Sequence, residues 1–273
     1  MGSGRIKAEI RSSSGATASR IISGPSEDPP HHHEWPVLSI HVMGEMTKLC
    51  DEGEVPISSA SAVFHARGAS HANIVGEHGC EQIDIVFDPG WLKLETLARL
   101  SGVPCWIGGP VALAARKLAR IWLSQDIAED DLRRITKGFL RFAANAALPR
   151  QPLWLPAVLK KMQQNPNLTA ADLAPVAGCR PDWLTQAFRA AMGEGLAETS
   201  RRIRVEKAAL LLRTTQRPAA EIATEAGFCD QSHMNRCFRQ LLGRTPLQVR
   251  LEGLELFAAS TSGVGKRAST TDL

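Results

Sequence analysis

Two sets of hydrogen-bonding side chains recur in this chain at one fixed offset. Asp182, Thr185, Gln186 and Arg189 are followed fifty residues later by Ser232, Asn235, Arg236 and Arg239. Within each set the spacing places the side chains on one helical face. Amides, hydroxyls and guanidinium groups pair with base edges in the major groove of DNA. The opposite face of each helix is apolar at i, i+3, i+4 and i+7: Leu184, Ala187, Phe188 and Ala191 in the first, Met234, Cys237, Phe238 and Leu241 in the second. One polar helix face is as readily an ordinary solvated surface. Duplication at matched positions favours the base-reading chemistry.

The elements that hold these faces repeat as well. Leu173-Ala174 and Ala177-Gly178 precede the first set, and Ile222-Ala223 and Ala226-Gly227 precede the second, here at an offset of 49, so one turn residue has been inserted. Glycine accepts the left-handed backbone that ends a first helix in a tight turn, and Gly193 and Gly243 stand at the ends of the second helices. The spacing predicts two helix-turn-helix units. Between them, Thr199 to Leu212 carries Val205, Ala208, Ala209 and Leu212 on one stripe and reads as a linker helix. Its length of roughly 21 Å, with the flanking bundles, suits two recognition helices about one DNA turn apart. Arg213 and Arg217, at the end of that helix, are expected to contact phosphates.

Arg204-Val205-x-x-Ala208-x-x-Leu211-Leu212, Glu221-Ile222-Ala223-x-x-x-Gly227-Phe228, Asp230-Gln231-Ser232, Arg236-x-Phe238-Arg239 and Gly243-x-Thr245-Pro246-x-x-x-Arg250 together resemble the DNA-binding domain of the AraC/XylS family of bacterial transcription regulators. The resemblance implies double-stranded DNA as partner. It adds Gln231 and His233, which flank Ser232, to the DNA-contact set. Gln186 departs from the family's usual arginine, which bears on base preference. Met234 and Val249 stand where the family has aromatics and read as core adjustments.

Charge follows the same division. Residues 1–109 sum to net −5 and residues 153–250 to net +6, within a chain of net +4. Basicity concentrated on the duplicated motif is the footprint of phosphate neutralisation, although helical domains of such charge also exist without nucleic-acid function. The first 20 residues have no apolar signal-peptide core and no run approaches a membrane span, so a soluble cytoplasmic protein with no membrane partner is expected. Six cysteines without a C-x-x-C pair fit a reducing compartment.

The fold class read from the sequence is α+β. Residues 1–30, with Gly24-Pro25 and Pro29-Pro30 as breakers, are expected to be a flexible entry segment. Alternating stretches at Val37–Val42, Ser61–His65 and Gln82–Phe87 have the rhythm of a small barrel or jelly roll over residues 31–109. Their order, with Asp88-Pro89-x-Trp91 after them, resembles the cupin-like sensor domain that often precedes this DNA-binding domain, and so implies a small-molecule effector. Residues 110–148 carry two amphipathic stripes, read as helices that cap the barrel and pair two copies of the chain. A linker at 149–152, a DNA-binding domain at 153–250 and a tail at 251–273 complete the division.

His31, His33 and His71 are the candidate effector-binding residues. An H-x-H pair with a third histidine also invites a metal reading, with His78 as another third ligand, but no glutamate follows at the spacing that cupin enzymes use. No metal, no cofactor and no catalytic residue is therefore expected. The leading reading is a ligand-responsive, sequence-specific transcription regulator, activator or repressor, acting as a homodimer with RNA polymerase as a further contact. The alternatives are a cupin-type metal enzyme with a nucleic-acid-binding domain, and a structural nucleoid protein. No phosphate-binding glycine loop, serine elbow or zinc-finger spacing is present.

Overall fold

The computed structural model describes residues 5–13, 15–50, 53–59, 61–101, 105–124, 126–146 and 152–263. The amino-terminal half contributes β1 (Arg5–Ser13), β2 (Ala16–Ser23), β3 (Ser26–His32), β4 (Val37–Cys50), β5 (Gly53–Ser58), β6 (Ser61–His65), β7 (Ser70–Phe87), α1 (Leu94–Ser101) and β8 (Cys105–Ile107). The strands form one antiparallel sheet in the order β1-β2-β7-β4-β6-β8, with β3 added to β7 and β5 to β4. β4 and β7 are long enough, at 14 and 18 residues, to serve two layers. Cys80–Phe87 pairs with β2 and with the start of β4, while residues 70–75 pair with β3 and with the end of β4.

The register breaks between His41 and Met43 and again between Gly44 and Met46, where the layers turn a corner. Gly44 has φ +77°, and a Cβ there would fall on the Gly79 carbonyl and come within 2.8 Å of Leu210 Cδ1. Glycine alone satisfies both the backbone and the space. This antiparallel sheet is the strand-rich half of the expected α+β arrangement, with the alternating stretches at Val37–Val42, Ser61–His65 and Gln82–Phe87 all in strands.

Within the segment expected to be flexible, residues 1–30, the described residues form β1, β2 and most of β3. Ala16, Ala18, Ile21 and Ile22 are buried in the sheet. Pro29 and Pro30 sit at the register shift between Asp28 and His31, on a strand that pairs with β7 alone. Proline lacks the N–H of a ladder bond, which an edge bulge does not need. The breakers therefore mark an irregular edge strand, not an unstructured entry.

α2 (Gly109–Leu123) and α3 (Glu129–Asn145) cover one layer. Val111, Leu118, Trp122, Leu132 and Phe139 pack with Leu38, Ile40, Ile83 and Phe87 in one core. Buried Trp122 donates from Nε1 to Thr136 Oγ1 at 3.1 Å, joining the two helices. Phe142 on α3 remains exposed. Of the linker expected at 149–152, only Pro152 is among the described residues.

The carboxy-terminal half is helical: α4 (Leu155–Gln164), α5 (Ala170–Ala177), α6 (Pro181–Met192), α7 (Leu196–Thr214), α8 (Ala219–Glu225), α9 (Gln231–Leu242) and α10 (Pro246–Gly263). α7 feeds two cores, with Ile203 among Val158, Leu173, Leu184 and Phe188, and Val205, Ala208, Ala209 and Leu212 among Ile222, Met234, Phe238 and Val249. Each core is completed by a residue of the sheet region, Ile107 for the first and Met43 for the second. α10 crosses the expected boundary at residue 250 and packs on α7 and β1, so the start of the expected tail is a helix. Residues 264–273 lie outside the described residues.

Candidate nucleic-acid interface

α5–α6 and α8–α9 are the two helix-turn-helix units, and local chemistry fixes each end. In α5, Thr169 and Asp172 form a capping box, with Thr169 N donating to Asp172 Oδ2 at 2.8 Å and Asp172 N to Thr169 Oγ1 at 3.3 Å. Gly178 at φ +64° and Gly227 at φ +86° make the two inter-helix turns. Pro181 opens α6, whereas Asp230 caps α9 by accepting from His233 N at 2.7 Å.

Leu184, Phe188 and Met192 anchor α6, and Met234, Cys237 and Phe238 anchor α9, all buried. That packing turns the matched polar positions outward. Asp182, Thr185, Gln186 and Arg189 are exposed on α6, as are Gln231, Ser232, Arg236 and Arg239 on α9, while His233 and Asn235 are half-buried. Arg236 and Arg239 have no ion-pair partner among the described residues, so both guanidinium groups are free for a ligand. Asp182 lies 3.6 Å from Arg180, and Arg189 lies 3.9 Å from Glu198. The Thr185 hydroxyl donates to the Pro181 carbonyl at 3.0 Å, leaving its lone pairs outward. The His233 ring stands edge-on to Phe228 with centroids 5.4 Å apart, so it packs as well as faces outward.

Arg213 is not at the surface. Its side chain is 3% exposed and is ion-paired with Glu81 of β7, because the end of α7 lies against the sheet and not toward solvent. The expected phosphate contact at Arg213 is thereby corrected. Arg217 is partly exposed but is shared between Glu221, at 3.7 Å, and Glu225. Arg202, from the start of α7, is buried against Glu194, Glu206 and the Ser59 hydroxyl.

A second cluster lies inside the sheet. His31 and His71 are register partners on β3 and β7, with ring centroids 4.3 Å apart, and His33 lies 5.1 Å from His71. One ring nitrogen of each lies within 4.8 Å of the others, a spacing that could hold a metal ion. The structure adds three groups that the sequence did not single out. His65 of β6 stands 4.3 Å from His71, Lys48 Nζ is 3.0 Å from the His65 ring nitrogens, and buried His41 completes the wall. Burial, then Lys48, holds His41 and His71 down at about 3 and His65 well below the usual imidazole range, so the imidazoles are neutral. Burial also brings Lys48 down to about 8; its cation beside His65 opposes a metal ion. The cavity between them is only about 20 Å3, the size of a water site.

Fold and faces together define a class: paired helix-turn-helix units on one linker helix, carried by an eight-stranded antiparallel sheet. Residues 173–252 match the helix-turn-helix domain family. The chain is 38% identical over 68 residues to regulatory protein SoxS of Salmonella typhimurium, covering 25% of this chain and 64% of that protein. It is 31% identical over 84 residues to the arabinose operon regulatory protein of Escherichia coli, covering 31% of this chain and 29% of the other. The chain thus spans less than two thirds of the length of either relative. Among solved structures, ToxT from Vibrio cholerae aligns over 89% of this chain and 97% of its own at 12% identity and a TM-score of 0.37. Residues 173–252 thus form a helix-turn-helix domain, and the likeness to both regulatory proteins extends over no more than about a third of the chain.

Proposed function

We propose that this protein is a sequence-specific DNA-binding transcription regulator whose amino-terminal domain responds to a small molecule. The observation that carries this reading is the pair of recognition helices, α6 and α9, each anchored by a buried apolar face and presenting Gln186 or Arg236 outward at the matched position. Arg236 suits bidentate pairing with guanine and Gln186 with adenine. Net +6 over residues 153–250 supplies the affinity for phosphates.

The reading assigns no catalytic role. It places the protein in the cytoplasm with its DNA, and no helix among the described residues is long and apolar enough to cross a membrane. A second copy of the chain, paired through α2 and α3, and RNA polymerase are the further partners. His31, His33 and His71 form the polar interior of the sensing domain.

Selection of bound sequences from a random duplex pool by the full chain tests the reading. A single enriched motif is expected, and Arg236→Ala should cost about 1–3 kcal/mol of affinity for it while sparing binding to random DNA. Equal loss on both kinds of DNA would remove the base-reading role.

A further inference from the structure

A cavity of about 310 Å3 lies where the sheet, α2 and the second helix-turn-helix unit meet. That volume is at the lower end of small-molecule sites, in contrast to the cavity of about 20 Å3 among the histidines. Its wall carries six arginines against two carboxylates, Glu81 and Glu206. Four of the arginines are already engaged. Arg20 and Arg213 hold Glu81, Arg202 holds Glu206 and Glu194, and Arg244 holds Glu252.

Arg116 and Arg120 are the other two. They stand one turn apart on the same face of α2, and neither makes a hydrogen bond or ion pair among the described residues. Arg213 Nε, on the same wall, is buried without a hydrogen-bond partner. Burial, and Arg202 after it, holds Arg116 below the usual guanidinium range, with Glu206 and Glu194 opposing from beyond ion-pair distance. An arriving anion would relieve that excess of positive charge. The rest of the wall is apolar, from Ile40 and Val42 on the sheet to Leu241 and Val249 on the helices.

We propose that this cleft binds a small organic anion with an apolar body, its negative group held by Arg116 and Arg120. This rests on the small-molecule part of the proposed function. It locates the responsive site between the domains instead of among the histidines. The bound molecule touches the sheet, α2, α7 and the end of α9 at once, so its binding energy adds to whatever holds the second recognition helix in place.

Calorimetric titration and thermal unfolding of the full chain, without DNA, test the proposal independently of DNA recognition. The probe is 4-phenylbutyrate, with 4-phenyl-1-butanol as the uncharged body and inorganic phosphate as the bare anion. One 4-phenylbutyrate per chain and a raised Tm are expected, with both controls weaker by about tenfold or more. Replacing Arg116 and Arg120 together by Gln should erase the preference for acid over alcohol, and replacing both by Lys should retain part of it. Arg120→Gln alone, at an exposed position, gives the same reading at smaller size should the double variant misfold. No binding at millimolar concentration, equal binding of acid and alcohol, or an unchanged preference in folded Gln variants would overturn the proposal.

Discussion

Arg213 of α7 is ion-paired with Glu81 of β7 at side-chain exposures of 3% and 1%. The same carboxylate accepts from Arg20 of β2 at 2.7 Å. The linker helix between the two recognition units is therefore bonded to the middle of the sheet. Burial alone would push the Glu81 carboxyl up, but Arg213 and Arg20 together outweigh it and hold the group below the usual carboxylate range.

Glu81→Ala leaves buried Arg213 with only Glu252, at 3.6 Å, and leaves half-buried Arg20 without its carboxylate. It should cost about 3 kcal/mol in denaturant unfolding, the lower end of the range for breaking a buried pair, since Glu252 still faces Arg213. Replacement of Arg213, Arg20 and Glu81 together by apolar residues should recover much of that loss. A loss for Glu81→Ala no larger than for an exposed pair such as Arg134–Asp131 would show that the buried pair does not hold the interface.

The histidine cluster gives stability a pH dependence of definite sign. His41 and His71 are held down at about 3 in the folded protein by burial and then by Lys48, against the ordinary imidazole value of 6.5. Below 6.5 the unfolded chain takes up protons that the folded sheet refuses, so stability falls as pH drops from 6.5 toward 3 and levels off beneath. Glu81 contributes in the same direction at lower pH: its stabilisation is full above the ordinary carboxylate value and is lost as pH falls through the depressed folded one. Thermal unfolding as a function of pH checks this, and His71→Gln should flatten the upper part of the curve. An unchanged slope in that variant would contradict it.

What the sequence made legible was local. The glycine turns, the split faces of α6 and α9 and the strand alternation at Val37, Ser61 and Gln82 each follow from periodicity within a few residues. The parts that escaped depend on what lies opposite. Pro29 and Pro30 are breakers in isolation and tolerable on an edge strand, and only the sheet order tells which applies. Arg213 lies beside an apolar stripe whose periodicity says nothing of a carboxylate 132 residues earlier. His41, Lys48 and His65 stand singly on β4 and β6, and the antiparallel pairing brings them to His71.

Gly44→Ala should destabilise both halves of the protein. The new methyl group would meet the Gly79 carbonyl on the sheet side and Leu210 on α7, at a backbone φ of +77° that alanine resists. A loss of several kcal/mol, about 2 or more from overpacking and strain, should appear as one lowered unfolding transition. Gly53→Ala, with nothing within 4 Å of its Cβ, is the control for left-handed backbone alone. Equal effects from the two would remove the close-packed corner from the account.

A fragment of residues 153–250 should keep its helices by circular dichroism yet unfold at lower temperature than the same residues in the full chain. It lacks Met43 and Ile107, which complete its two cores, and Arg213 loses Glu81. A fragment as stable as the whole chain would show the sheet to be dispensable.

The recognition helices carry unlike side chains at matched places, Gln186 against Arg236 and Thr185 against Asn235. One chain should therefore protect an asymmetric site of roughly 15–20 base pairs with two unlike boxes. Inserting about half a helical turn of DNA between the boxes should abolish high-affinity binding by rotating one groove to the far side. Unchanged affinity would mean that a single helix-turn-helix reads DNA.

The two cores of the carboxy-terminal half each rest on their own part of the sheet region, at Ile107 and at Met43. The readers are thus members of a closed linkage, joined once through α7 and again through the sheet, instead of two weights on a single rod. A closed linkage has fewer independent movements than an open one. The interval between the reading helices cannot change by bending α7 alone; the sheet must deform or one foothold must release.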